Sequence, residues 1–159
     1  MERLFKRTFL SLLFLSSLLL SNEHRTIALE KLFKTNLSVK GKLYQTFLAI
    51  DPKQKQEGLS NLESSEFSSA EAMLFIYPYN EKLFFWMKDT HIDLDIAYID
   101  ANGIVSDIFT MKRMRRKPFP STQKVRYALE VRAGEFKKLG LKVGEKILFP
   151  SIILELSKP

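Results

Sequence analysis

Apolar residues along this chain gather in short runs separated by turn-forming residues, the spacing of strands rather than of long helices. Lys42 to Ile50 (KLYQTFLAI) is rich in β-formers and predicts a strand. Asp51-Pro52 then offers an N-cap followed by proline at the first helical position, which predicts a short helix to about Ser60. The four serines between Leu62 and Glu71 predict a loop. Ala72 to Tyr77 and Lys82 to Met87 are apolar runs on either side of Pro78-Tyr79-Asn80-Glu81, a pattern that predicts a hairpin. Leu94 to Asp100 and Ile104 to Thr110 flank Asp100-Ala101-Asn102-Gly103, where Asn-Gly supplies the positive φ of a tight turn. From Val125 to Arg132, Val125, Tyr127, Leu129 and Val131 face one way and Arg126, Ala128, Glu130 and Arg132 the other. Gly134 to Gly140 predicts a single helical turn, Lys146 to Phe149 a strand, and Ser151 to Leu156 a final edge strand. Seven or eight short strands with sparse helix predict a mainly β fold, a single compact sandwich or partly closed barrel with one or two short helices.

The first residues follow another pattern. Glu2, Arg3, Lys6 and Arg7 give a net-positive head, and Thr8 to Leu20 is uncharged and mostly Leu, Phe and Ser. Thirteen helical residues reach about 20 Å at ~1.5 Å each, short of the roughly 30 Å hydrocarbon layer. Residues 1–21 therefore read as a signal peptide, with an uncleaved N-terminal anchor or a buried helix as the alternatives. Residues 22–41 read as a linker or loose first strand, and residues 42–159 as the β domain. The expected location is exported, periplasmic or extracellular.

The chain has no cysteine, which removes disulfides, thiolate nucleophiles and cysteine metal sites. Its 45% hydrophobic content and 13 Phe supply a core by burial alone. The charge is local. Lys112, Arg113, Arg115, Arg116, Lys117, Lys124 and Arg126 equal the whole formal excess of +7, so the rest of the chain sums to zero. This segment is either a solvated face or a contact for something anionic, such as a membrane surface, a polysaccharide or an acidic partner. Nucleic acid is not expected, because Phe119 is the only ring interleaved with these cations.

Candidate chemistry concentrates after the single Trp. Trp86 and Met87 read first as core residues, with Trp86 also a candidate ligand contact. Lys88, Asp89 and Thr90 follow, and Lys88 is a candidate partner for Asp95 or Glu130 in a partly buried ion pair. His91, Asp93 and Asp95, if extended, share one face and form a weak metal-ligand set. Their bland reading is a polar rim. No nucleophile elbow, phosphate-binding Gly loop or His-Glu-x-x-His pair is present.

Several pieces occur together in order: Glu57-Gly58-Leu59, Ala72-Met73-Leu74-Phe75, and Phe85-Trp86-Met87-Lys88-Asp89-Thr90. Leu94-Asp95-Ile96, Asp100-Ala101-Asn102-Gly103, Tyr127-Ala128-Leu129-Glu130-Val131 and Ala133-Gly134 follow. With these pieces the chain resembles, from Phe47 to Phe149, the domain-of-unknown-function 192 family of small, commonly exported bacterial and archaeal proteins. It departs from the family pattern at Glu57 (usually Arg), Ser60 (Met), Ala72 (Gly), Asp89 (often Asn) and Asp93 (commonly Pro). The resemblance implies a compact, mainly β single domain and supplies no activity. Its motif residues map to Trp86, Lys88, Asp89, Thr90, Asp95 and Glu130. The expectation is an exported β domain that binds a ligand or partner at a rim shared by these residues, with no cofactor. A metal-dependent hydrolase using His91, Asp93 and Asp95 is the alternative.

Overall fold

The computed structural model describes residues 25–158, so the expected export segment over residues 1–21 lies outside the described residues. The strands are β1 (Lys34–Val39), β2 (Lys42–Ala49), β3 (Glu71–Glu81), β4 (Phe84–Phe85), β5 (Leu94–Ile99), β6 (Val105–Met111), β7 (Phe119–Pro120) and β8 (Val125–Arg132). Three short helices, α1 (Pro52–Glu57), α2 (Glu135–Leu139) and α3 (Ser151–Leu156), accompany them. Six strands form one open sheet in the order β1-β2-β3-β8-β5-β6, and β4 pairs with β7 in a separate two-stranded ribbon. Among the described residues the fold is mainly β and sandwich-like, with no closed barrel. Among the described residues no helix is long and apolar enough to cross a membrane.

The sheet is buried on both faces, which explains why the central strand β5 is apolar at every position but Asp95. Phe47, Met73, Phe75, Leu94, Ile96, Tyr98 and Ala128 face one side, beneath Leu59, Leu62, Phe67, Leu83, Met87 and Ile92. Leu48, Leu74, Ile76, Ala97, Ile99, Tyr127, Leu129 and Val131 face the other, beneath Phe136, Leu141, Ile147 and Ile153. All pairings are antiparallel except β2 with β3, whose parallel register needs a crossover. That crossover carries α1. Asp51 and Gln54 close the helix start with a capping box, and Pro52 stands at its first turn.

Several expected elements differ. The loose first strand is a regular one, β1, paired along its length with β2. The hairpin at Pro78–Glu81 is absent, because β3 runs straight through Pro78. Its register against β8 shifts between Ile76 and Glu81, and a proline without an N–H fits such an irregularity. Arg126 secures the bulged stretch by donating to the Tyr77 carbonyl at 3.2 Å and the Pro78 carbonyl at 2.7 Å. Lys146 to Phe149 contributes only an isolated bridge between Ile104 and Lys146. Ser151 to Leu156 is the helix α3 rather than an edge strand, anchored by buried Ile153 and by Ser157, whose hydroxyl is 3.0 Å from that of Tyr127.

Candidate functional site

The segment from Phe84 to Thr90 lies against the tail of α1 on one side and the basic loop on the other. Asn61 N–H donates to the Asp89 carbonyl at 2.7 Å, and Ser60 Oγ donates to the Lys88 carbonyl at 3.4 Å. From the opposite side Met87 N–H donates to the Arg115 carbonyl at 2.9 Å, and Met114 N–H to the Thr90 carbonyl at 3.0 Å. Asp89 turns the chain with φ +55, a conformation that Asp and Asn tolerate better than most residues. Met87 is buried and locks the segment to the core. Trp86 is not core: it is 59% exposed, against the expectation. The β4–β7 ribbon turns Phe85 inward against Phe75, with ring centroids 4.7 Å apart, and leaves Phe84 and Trp86 outside.

Between α1 and this segment lies an inner pocket of about 200 Å³. Phe75, Tyr77, Phe85, Trp86, Thr90 and Glu130 are among its lining residues. An outer groove of about 760 Å³ runs past Lys53, Gln56, Asn61, Lys88 and Asp89. Gln56, Glu57, Ser60 and Trp86 line both spaces, so Trp86 stands where one meets the other. Close packing shapes the inner wall. At Gly58, with φ +50, a Cβ would stand 3.2 Å from the Phe75 ring. Arg25 fastens this tail by donating to the Gly58 and Ser60 carbonyls, both at 2.8 Å. Glu57 accepts from Thr26 N–H and Ile27 N–H and so holds that segment.

Glu130 is the chemically unusual member. It sits mid-strand in β8, between Met73 of β3 and Ile96 of β5, and is 4% exposed. Among the described residues no hydrogen bond or ion pair engages its carboxyl, which borders the pocket. Burial pushes that carboxyl up to about 8, because a lone charge is costly away from water. Tyr77 is pushed up to about 12, by burial first and then by the charges of Glu81 and Glu130. Tyr98 is pushed up as well, with burial the larger cause and Glu130 the next.

The expected rim divides. Lys88 pairs with neither Asp95 nor Glu130; its ammonium lies 3.5 Å from Asp89. Asp95 and Glu130 point to opposite faces of the sheet, since Ile96 rather than Asp95 is the partner of Glu130. Asp95 accepts from Thr110 Oγ1 at 2.7 Å, Gly134 N–H at 2.8 Å and Phe136 N–H at 3.2 Å, and so holds the start of α2. Trp86, Lys88, Asp89, Thr90 and Glu130 do surround the cleft. His91, Asp93 and Asp95 do not converge. His91 is exposed, and Asp93 takes Lys112 at 2.9 Å and Arg113 N–H at 2.8 Å, bonds that hold its carboxyl below the usual range. Among the described residues no three His, Asp or Glu side chains form a metal-binding group.

Lys112, Arg113, Arg115, Arg116 and Lys117 are all exposed. Lys112 is paired with Asp93, and the Arg115 guanidinium lies 5.1 Å from the Phe119 ring centroid. Met114, with φ +59, puts an exposed apolar side chain among these cations. Sequence reasoning missed Gln56, Ser60, Phe75, Tyr77 and Phe85 as cleft residues. Two signals pointed there: the Glu57-Gly58-Leu59 piece and the aromatic density before Lys88.

Residues 35–149 match the profile of the domain-of-unknown-function 192 family, described as "Uncharacterized ACR". A protein of unknown function from Novosphingobium aromaticivorans DSM 12444 has a similar crystal structure, with TM-score 0.65 and 25% identity over 73% of this chain and 83% of that one. A second, described as a proposed transcription regulator from Sinorhizobium meliloti 1021, has TM-score 0.64 and 27% identity over 71% and 88%. Comparison with curated proteins finds no match.

Proposed function

The chain belongs to the domain-of-unknown-function 192 family, and for this member we propose a binding domain that takes a small organic ligand in the cleft between α1 and Phe84–Thr90, without turnover. The observation that carries this reading is Glu130, a residue only 4% exposed whose carboxyl makes no hydrogen bond or ion pair among the described residues and opens onto an aromatic-lined pocket. Aromatic walls with polar groups placed among them are a usual form of small-molecule sites. The ligand's polar head meets Glu130, and its body lies along Phe75, Phe85 and Trp86. Positioned at the junction with the outer groove, Trp86 reads occupancy.

The test uses that single Trp. A panel of small cations, polyols and carboxylates is titrated against Trp86 fluorescence, with thermal unfolding in parallel. At a hundredfold excess over its Kd a ligand stabilises by about 2.7 kcal/mol. Ser60→Phe fills the cleft and abolishes binding. A ligand that binds Ser60→Phe and Glu130→Ala unchanged places the site elsewhere.

The charged head and the uncharged run Thr8–Leu20 support export, and the cell fraction holding the protein tests it. The basic loop is a separate contact for anionic lipid. Met114 exposed among Arg113, Arg115, Arg116 and Lys117 favours a membrane surface over a polysaccharide.

A further inference from the structure

Resting on the ligand-binding reading of the cleft, we infer that the inner pocket takes a methylated ammonium ion, held between the Glu130 carboxylate and the rings of Phe75, Tyr77, Phe85 and Trp86. A carboxylate sunk in an apolar wall is stabilised by a counter-charge. An alkylated cation is the counter-charge best suited to aromatic faces, because its poorly hydrated surface meets the negative face of each ring.

No resident cation fills this role among the described residues. Of the groups α1 brings, Lys55 lies over the Tyr77 ring, 4.4 Å from its centroid, and makes no ion pair with Glu130. It shows ammonium-on-ring contact already present at the pocket's lip. Glu57 is spent on residues 26 and 27. From β3 comes the Tyr77 phenol. From β5 comes Tyr98, whose hydroxyl donates to the Phe119 carbonyl at 2.5 Å. From the segment 84–90, Lys88 is paired with Asp89, and His91, the residue after it, lines neither space.

The competing ligand chemistries fit less well. An anion gains no counter-charge from Glu130 in either protonation state. A polyol needs several inward partners, yet Thr90 Oγ1 and Ser60 Oγ both donate to the Lys88 carbonyl, at 3.3 and 3.4 Å. A methylated ammonium asks for one carboxylate and apolar surface, and the pocket offers both.

The inference has a proton signature. In the empty pocket the Glu130 carboxyl, pushed up to about 8, holds its proton at neutral pH. A cation binds the carboxylate, so the proton leaves as the ligand enters. Affinity therefore rises about tenfold per pH unit below that value and levels off above it.

The experiment titrates choline, tetramethylammonium and the neutral choline isostere 3,3-dimethylbutan-1-ol against Trp86 fluorescence at pH 6, 7, 8 and 9. Glycerol and glucose serve as polyol probes. The expected result is choline binding at least about tenfold tighter than its isostere, with the pH slope above. Glu130→Gln loses both the preference and the slope. Equal binding of the isostere, a flat pH profile, or unchanged binding by Glu130→Gln overturns the inference. If a polyol binds through Glu130 and the cations do not, the ammonium inference falls and the binding reading stands. If none of these probes nor the wider panel moves Trp86 fluorescence, both fall.

Discussion

Glu130 gives the clearest physical consequence of a single side chain. Its carboxyl is raised from 4.5 to about 8 in the fold, so between those values the native chain holds a proton that the unfolded chain has released. Stability from this group is complete below about 4.5, declines by roughly 1.4 kcal/mol per pH unit through the window, and levels off above about 8. The carboxyls of Asp93 and Glu135 are held low, so their stabilisation is present across neutral pH and is lost only as pH falls through the acid range. Urea midpoints at pH 5, 7 and 9 are expected to fall steeply in the wild type and much less in Glu130→Gln, which overtakes it at high pH. Parallel profiles for the two proteins count against a buried, unpaired carboxyl. Asp95 contrasts with it. Three donors converge on that carboxylate, so Asp95→Ala is expected to cost about 2–4 kcal/mol in denaturant unfolding, with ligand affinity intact under folding conditions. Both residues belong to motif pieces that the sequence displays. Their separation to opposite faces was not visible, because it depends on the register of β5 against β8, which neither segment encodes alone.

At the scale of elements, local chemistry decided some segments and long-range pairing others. The Asp51-Pro52 start of α1 and the Asn102-Gly103 turn were legible because caps and tight turns are governed by adjacent residues. Asp100 Oδ1 accepts from Asn102 N–H and Ile104 N–H, both at 2.8 Å, and Gly103 takes φ +84. Pro78 misled as a hairpin signal. Its true setting is a bulged strand secured by Arg126, 48 residues later. Ser-Ile-Ile-Leu-Glu-Leu is equally apolar as strand or helix, and Ile153 seating against the far face selects the helix. The basic loop, by contrast, needed no pairing to be read. Its cations are expected to bind vesicles of anionic lipid, weakly or not at all those of neutral lipid, and less as salt rises. Neutralising Arg113, Arg115 and Arg116 together should remove most of that binding in a sedimentation assay. Retained binding rules the loop out.

For the whole molecule, the sheet acts as a partition. One face carries the aromatic wall and the cleft, and the other is covered by α2, the Leu141–Phe149 stretch and α3. Strand β8 is the shared member, with Glu130 on the cleft face and Tyr127, Leu129 and Val131 on the far one. A defect on the far face therefore lowers the stability of the entire domain while leaving the cleft's shape nearly untouched, as long as the chain is folded. Ile153 is the place to test it, since it is fully buried on the inner side of α3 and lines neither pocket nor groove. Ile153→Ala is expected to lower unfolding free energy by about 2–5 kcal/mol, the usual range for emptying an aliphatic core site. Trp86 emission and ligand affinity, measured well below the unfolding midpoint, should match the wild type. A shifted Trp86 spectrum in the folded variant would mean that the two faces are coupled through β8, and that stability and binding cannot be altered independently.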